Sequence, residues 1–576
     1  MSKQSELQLE NNLIKQLVGL GYTNASVLDG VTLVTNLKTQ LETFNSCTFS
    51  EKEFDKILNH LEKGTVFDKA KTLRGRFQFE NDKSEATYIR FFNNEETSKN
   101  LYQVTNQIAQ EGTYKNRYDV TLLVNGLPLI QIELKRRGLE IKEAFNQINR
   151  YQKNSFWSNH GLFQYVQLFI ISNGVNTKYL ANNDLQSVKQ TFFWSDIHNK
   201  NIRELTAFTS AFLNPTHLGK MIAKYIVRNQ THKILMVLRP YQFYAVENLV
   251  AQVQNNSENA YIWHTTGSGK TLTSFKASQI IMDLPSVDKV LFVVDRKDLD
   301  YQTMKEFNSF KKDSVDVTKN TNSLVKQLAS DSKLVLTTIQ KLNNAISKNQ
   351  YEHTLADLIS VSWLILIGNC LHKYVITDAI GDGNVLKFGI EYIGRYKKKS
   401  NTLLDIDVED IDKTEVFKDK KRLEKIVDYI IAYHDTKTFS KEYSALFAVS
   451  DIKTLIKYYD IFKEKKQVGE HNLRIATIFS YGANEANEDA QDHLPDDEYG
   501  VAAEGEISYK SSHSREKLDV YIADYNLLYG TSFSTKDGVQ FENYFKDISK
   551  RLKEREKKNF NDAKDRLDIV IVVNMM

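Results

Sequence analysis

Asp119, Glu133 and Lys135 form an Asp-x13-Glu-x-Lys pattern. In a strand, residues i and i+2 share a face, so Glu133 and Lys135 point the same way. Two carboxylates on adjacent strands can hold a hard Mg²⁺ through oxygen ligands. Such an ion polarises a phosphodiester and lowers the pKa of a bound water. Lys135 would then orient the attacking hydroxide and stabilise developing charge. The pattern therefore fits phosphodiester hydrolysis, with Asp119 and Glu133 as metal ligands. The plainer alternative is a charged strand edge that resists aggregation. The apolar setting, Ile130-Gln131-Ile132-Glu133, argues against it, because a carboxylate inside a buried strand needs a partner. Pairing sets a condition. A two-residue Asn125-Gly126 loop places Asp119 opposite Ile132, on the wrong face. An odd-length loop or a bulge is needed, and Pro128, lacking a donor, favours one. Gln147 and Tyr151, four apart on the following helix, share a face that could look onto the site. Glu10 on the first helix is a further candidate carboxylate.

A second constellation lies in His264-Thr265-Thr266-Gly267-Ser268-Gly269-Lys270-Thr271. It follows an apolar strand and precedes a helical run, the setting of a phosphate loop. Gly267 and Gly269 let the backbone turn its N–H groups of the Thr266–Gly269 stretch toward phosphate oxygens. The next helix adds its N-terminal dipole. Lys270 can reach the β- and γ-phosphates of ATP, and Thr271 can ligate the nucleotide's Mg²⁺. His264 stands where the strict pattern has a first glycine. A chance Gly-Ser-Gly-Lys turn is the alternative, disfavoured by the strand before and the helix after. Upstream, Leu238-Arg239-Pro240-Tyr241-Gln242 offers Arg239 and Gln242, and the Gln242 amide can bond both edges of an adenine.

These residues need elements to hold them. Leu7, Leu13, Ile14, Leu17, Val18 and Leu20 recur at helical spacing, predicting a helix over 1–20 with Glu6 and Glu10 on one side. Tyr118 to Lys135 reads as a hairpin around Asn125-Gly126. A helix over 139–152 and a buried strand over 165–172 come next. From about 235, short apolar strands (261–263, 290–294, 334–338) alternate with helices, which predicts a parallel sheet. A second such stretch starts near Tyr374, with strands at 444–449, 474–479 and 568–573. Residues 484–506 are strongly acidic and read as a solvated loop; 546–558 are basic and read as an exposed helix face rather than a DNA-facing one.

The 576 residues allow three or four domains. Apolar residues at 41% and charged ones at 26% exclude a disordered chain and a membrane bundle. No apolar run reaches membrane-spanning length; the longest, such as Trp363 to Ile367, are strand-sized. The polar N-terminus lacks a secretory core, and the expected location is the cytoplasm. The net charge of +3 leaves any nucleic-acid contact to local patches.

A phosphodiester-cleaving pattern followed by a phosphate loop is far more specific than either alone. The segments Arg117-Tyr118-Asp119-Val120, Asn125-Gly126-Leu127-Pro128, Ile132-Glu133-Leu134-Lys135, Gln147 to Tyr151, Leu238 to Gln242 and Trp263 to Thr271 resemble the restriction (R) subunit of type I restriction enzymes. Val293-Val294-Asp295-Arg296, Thr337-Thr338-Ile339-Gln340 and His372-Lys373-Tyr374 with Asp378-Ala379-Ile380 resemble later motor motifs. The resemblance implies an α/β chain: a PD-(D/E)xK-type nuclease domain (1–225), then RecA-like superfamily 2 motor domains at 226–367 and 368–576. It implies ATP and Mg²⁺ as cofactors, and double-stranded DNA and the methylation and specificity subunits as partners. The activity implied is ATP-driven translocation coupled to endonucleolytic cleavage of unmodified DNA. Two departures stand out. No Asp-Glu box and no following Thr-Gly-Thr-Pro-like motif lies between Gln340 and His372; the run Val361 to Ile367 ends in Gly368-Asn369. The chain also stops after Asp568 to Asn574, which resembles the start of motif V, before the motif VI arginine. The expectation is an incomplete motor with an internal deletion and a C-terminal truncation. The alternative function is a motor-dead remnant that binds DNA, ATP or partners, or a stand-alone metal-dependent nuclease.

Overall fold

A computed structural model describes residues 5–573 except 114, 184–185, 256–258, 295–304, 310–320, 348–358, 362–368, 387–390, 392–418, 480–503, 536–537, 554 and 556–559. The chain divides into two compact units, 1–392 and 393–576. The run Trp363 to Ile367, Asp295-Arg296 and most of the acidic segment 484–506 lie outside the described residues.

The first unit opens with four helices, α1 (Glu6–Gly19), α2 (Gly30–Asn45), α3 (Glu51–Glu62) and α4 (Val66–Arg74). Their starts are fixed by side chains. Ser5 caps α1, while Asp29, Ser50 and Thr65 form reciprocal capping boxes on α2, α3 and α4. Six strands form one sheet in chain order: β1 (Thr23–Asn24), β2 (Tyr102–Glu111), β3 (Lys115–Val124), β4 (Leu127–Leu134), β5 (Leu168–Ser172) and β6 (Thr177–Ala181). The pairs β1–β2 and β4–β5 are parallel and the other three antiparallel. All eight residues of β4 are buried, so it reads as a continuous run rather than an alternating one. α5 (Ile141–Asn154) buries Ala144, Phe145, Ile148 and Tyr151, one helical stripe.

The β3–β4 turn carries Asn125 and Gly126 at φ of 52° and 83°, the left-handed pair of a tight hairpin. Asn125 is buried. Its amide donates to the Phe91 carbonyl and to Asn100 Oδ1, and its Oδ1 accepts from the Leu101 N–H. The turn is thus tied to the chain on either side of it.

Further along come β7 (Ile226–Asn229) paired with β8 (Ile234–Val237), then α6 (Pro240–Asn255), β9 (Ala260–His264), α7 (Lys270–Ile281), β10 (Val290–Val294), β11 (Leu334–Thr338), β12 (Ile359–Val361) and β13 (Asn369–Tyr374). The expected parallel pairing is present, but in two pieces: β9 pairs with β13, and β10 lies between β11 and β12. Asn369–Tyr374, expected to open the second motor domain, is hydrogen-bonded to the phosphate-loop strand instead. A strand joins whichever edge satisfies its backbone, and here that edge is β9.

The second unit has a parallel sheet of β14 (Ala445–Val449), β16 (Ile569–Val573) and β15 (Ile475–Ile478), with β16 central. α8 (Lys420–Lys437), α9 (Ile452–Gln467), α10 (Glu504–Tyr529) and α11 (Gly538–Lys553) supply its core with Val427, Phe462, Tyr525 and Tyr544. The basic segment is part structural: Arg551 pairs with Asp547, and Arg555 donates to the carbonyls of Lys441, Glu442 and Leu567. Among the described residues, no helix is long and apolar enough to cross a membrane.

A methyl group on Gly126 would lie 2.7 Å from the Leu37 Cα of α2, besides straining a positive φ. Gly126→Ala is expected to destabilise the hairpin by about 2 kcal/mol. Hydrogen exchange should report it as lost protection over 115–134, with the second unit unchanged.

Candidate active site

The hairpin sets the phase of the acidic residues. Val124 pairs with Leu127 and Leu123 with Pro128, but Leu122 then pairs with Ile130. Leu129 is the extra residue of a β-bulge. Beyond it Thr121 faces Gln131 and Val120 faces Ile132, so one further step sets Asp119 opposite Glu133. The irregularity that the sequence required beside Pro128 is present, and it puts both carboxylates on one face.

Glu133 is fully buried, and Asp119 nearly so. Thr121 Oγ1 donates to Gln131 Oε1 (2.7 Å), and Gln131 Nε2 donates to Glu133 Oε1 (3.0 Å). Gln131 was readable as sharing a face with Glu133, two residues on, but no pattern marked it. Asp119 Oδ2 accepts from the Leu134 N–H at 2.8 Å. Among the described residues Glu133 Oε2 has no donor, and its carboxyl lies against that of Asp119. Burial pushes the Asp119 carboxyl up to about 6, against the pull of the Leu134 N–H and of Lys135. Burial and then the Asp119 charge push Glu133 well above the usual carboxylate range.

Lys135 Nζ donates to Glu6 Oε1 of α1 (3.2 Å) and to the Leu134 carbonyl (2.8 Å). Glu6, noted only as lying beside Glu10, is thus the residue that reaches the lysine. Glu10 is turned elsewhere: its two oxygens accept from Asn106 and Gln107, both at 2.5 Å. Gln147 Nε2 donates to the Tyr151 hydroxyl, which donates to the Arg117 carbonyl at 2.9 Å. That bond ties α5 to β3 two residues before Asp119.

The residues fit a divalent cation in one respect: an orphaned buried carboxylate oxygen beside a second carboxylate is what a hard ion satisfies. Among the described residues, no group of three or more His, Cys, Asp or Glu forms a full protein cage. An ion here would keep several waters, as Mg²⁺ does.

The phosphate loop joins β9 to α7. Gly267 and Gly269 sit at φ of 76° and 73°, a conformation that favours glycine. Tyr241 Oη donates to the Ser268 carbonyl (2.7 Å), and Gln242 Nε2 to the carbonyls of Ser268 (3.1 Å) and Gly269 (3.3 Å). Gln242 Oε1 accepts from the Arg239 N–H. The Gln242 amide therefore braces the loop, whereas the sequence suggested an adenine contact. Its Nε2 is engaged by two loop carbonyls, that of Ser268 shared with Tyr241 and that of Gly269 shared with the Thr273 N–H. Lys270 Nζ donates to the Thr265 carbonyl (3.3 Å), and burial lowers its pKa. Arg239, Gln242, Gly267 to Thr271 and Phe192 line one cleft of about 690 Å³. Thr266 lies outside that lining.

His264, in the position of the missing glycine, is buried, with Nε2 3.1 Å from His372 Nδ1 of β13. Burial holds the two imidazoles down to about 3 and about 4, so both are neutral and one N–H bridges them. Tyr241 stacks on Tyr374 at 3.7 Å between ring centres, and the Thr265 N–H donates to the Tyr374 carbonyl. Tyr241 carried no sequence signal beyond its place beside Gln242.

Residues 3–187 match the type I restriction enzyme R protein N terminus, 241–366 the SWI2/SNF2 ATPase, and 441–576 domain 3 of the type I restriction enzyme subunit R. The chain is 41% identical over 629 positions to the type I restriction enzyme SauMSSORF170P endonuclease subunit of Staphylococcus aureus strain MSSA476. That match covers 100% of this chain and 64% of the relative. Since 629 positions are aligned to 576 residues, at least 53 positions of the relative face no residue here. The type I restriction enzyme EcoprrI endonuclease subunit of Escherichia coli is 39% identical over 264 residues, covering 44% of this chain and 84% of the relative. A solved structure of the ATP-dependent Type ISP restriction-modification enzyme LlaBIII bound to DNA aligns at TM-score 0.28 and 12% identity, over 60% of this chain and 26% of that one. With three successive family segments in order and this identity along its whole length, the chain belongs to the endonuclease (R) subunits of type I restriction enzymes.

Proposed function

We propose that the chain is the restriction subunit of a type I restriction-modification system. In this reading it works in the cytoplasm with methylation and specificity subunits. It couples ATP-driven translocation to Mg²⁺-dependent cleavage of unmodified double-stranded DNA. The observation that carries the reading is the shared face of Asp119 and Glu133, with Lys135 two residues on, ahead of a phosphate loop in the same chain. The nuclease domain would be a PD-(D/E)xK type spanning 1–225.

Asp119 and Glu133 would hold the nuclease Mg²⁺, which when bound supplies Lewis-acid polarisation and a water of lowered pKa. Gln131 fixes one Glu133 oxygen and leaves Oε2 for the ion. Lys135 would meet charge that develops on the phosphate, after exchanging its contact with Glu6. Gln147 and Tyr151 hold β3 in place. In the motor, Lys270 and Thr271 would take the phosphates and Mg²⁺ of ATP, with Gly267, Ser268, Gly269 and Thr266 as the cradle and Arg239 and Gln242 in its wall.

A second reading, that the motor hydrolyses ATP poorly, is favoured by two observations. At least 53 positions of the S. aureus relative have no counterpart here, and the phosphate-loop strand pairs only with β13 among the described strands. An acidic box carried on a strand between Gln340 and His372 would be among what is lost.

Measurements on the metal-free chain, on the complex and on the motor check these readings. Metal-free Asp119 and Glu133 bind protons more tightly folded than unfolded, so stability should fall as pH rises from about 4 through about 6, where Asp119 ionises, and further as Glu133 loses its proton. Glu133→Gln removes the buried charge and should stabilise the metal-free chain at pH 8 by about 1–2 kcal/mol in thermal unfolding. The same variant should lose Mn²⁺ binding read by electron paramagnetic resonance; retained binding would refute the ligand assignment. With methylation and specificity subunits present, Mg²⁺-dependent plasmid cleavage should fall at least ~100-fold in Glu133→Ala. Lys270→Ala should weaken ATP binding by ~2–3 kcal/mol. DNA-stimulated ATP hydrolysis should be slow even before that substitution; robust turnover lost on changing Lys270 would show the motor is whole.

A further inference from the structure

The C-terminal half of α7, away from the phosphate loop, faces a separate cavity of about 470 Å³ shared with α4 and β7. Five cations line it: Lys71 and Arg74 from the last turn of α4, Lys224 from the π-helical turn before β7, Arg228 from β7, and Lys276 from α7. Asp283 is the one carboxylate in the lining. Among the described residues no ion pair neutralises any of the five. Arg74 donates only to neutral oxygens: the carbonyls of Ala70 and Ile222, and Gln167 Oε1. Lys276 is buried and donates to the neutral Gln279 Oε1 at 2.7 Å.

Like charges crowded into a concave, half-desolvated site repel one another and are costly to keep ionised. Lys276 shows the strain. Burial, then the charges of Arg74 and Arg228, hold it down to about 7, with Asp283 opposing and Lys224 adding to the repulsion. An oxyanion of two or more charges would replace that mutual repulsion with attraction. It would pair with the ammonium groups and accept the guanidinium forks in the geometry that suits phosphate.

We infer that the cavity between α4, β7 and α7 is a phosphate-binding site, distinct from the ATP loop, that takes either a free polyphosphate or the terminal phosphate of a DNA strand. At about 470 Å³ on one helix flank, it is too small for a duplex but large enough for a polyphosphate or one end nucleotide. Its floor is the helix whose first residue is Lys270. An anion held by Lys276 therefore sits on the same rigid rod as the nucleotide loop.

The test is calorimetric titration of the full chain carrying Lys270→Ala, which disables the phosphate loop. The probes are inorganic tripolyphosphate and a short 5′-phosphorylated single-stranded oligonucleotide. One site is expected, weakened at least ~10-fold by Arg228→Gln with Lys276→Met. Asp283→Asn, an exposed substitution, should instead tighten it by ~3-fold. At pH 7.5, titration in buffers of differing ionisation heat should show proton uptake on binding, and the uptake should vanish in Lys276→Met. Uptake with tripolyphosphate alone assigns a free polyphosphate, and uptake with the oligonucleotide assigns a strand end. Absence of binding by both probes, or affinities unmoved by the substitutions in chains with unchanged thermal midpoints, overturns the site.

Discussion

A carboxylate with no exposure to water, near the end of a fully buried strand, is the constraint on which the N-terminal fold turns. Glu133 cannot be left alone there: burying an unpaired carboxylate costs several kcal/mol, or forces it to keep a proton. Every nearby irregularity serves its placement. The bulge at Leu129 shifts β3 by one residue, so that Asp119, and not Tyr118, comes opposite Glu133. Thr121 orients Gln131, and Gln131 orients Glu133. Without the bulge, Asp119 would point to the other face of the sheet and Glu133 would face Tyr118 with no second carboxylate beside it. The hairpin's twin positive φ angles and the buried Asn125 hold the turn that makes the bulge necessary.

The phosphate loop follows a related logic with neutral groups. A loop that must present its N–H groups to a ligand turns carbonyls the other way, and these need donors. Tyr241 and Gln242, at the start of α6, provide them. Two neutral histidines fasten β9 to β13, and the stacked Tyr241 and Tyr374 fasten α6 to β13 around the same point. His264 thus has a structural use where a glycine would leave a gap: its ring fills the space between the strands and meets His372. Strand β13 supports the phosphate-loop strand β9, although sequence alone grouped it with the second motor domain.

The legible part of the sequence was that governed by short-range rules. The capped first helix, the Asn125-Gly126 hairpin and the β9–α7 junction all carry local signals, and each appears within a few residues of its expected place. Strand phase was legible too, as a condition: the chemistry demanded a bulge, and the chain carries it at Leu129. What was not legible depends on distant partners. Nothing local says that Glu6, rather than Glu10, reaches Lys135, because both lie on one side of α1 and the choice depends on the helix's depth against the sheet. Nothing local says that Gln242 turns toward the loop, or that residues 369–374 pair with β9 when more than a hundred residues intervene.

The two sites make opposite uses of burial. At Asp119 and Glu133, burial raises carboxyl pKa values and leaves an oxygen unsatisfied, so the metal-free state is the strained one and a cation relieves it. At Lys270, burial lowers the pKa of an ammonium whose partner among the described residues is a backbone carbonyl, so an anion relieves it. In each case the fold holds a charged group short of its counter-charge by a few hydrogen bonds, and the missing counter-charge defines the ligand. That asymmetry separates a binding site from an ordinary ion pair such as Arg551–Asp547 at 2.9 Å, where both charges are already supplied by the chain and no ligand is called for.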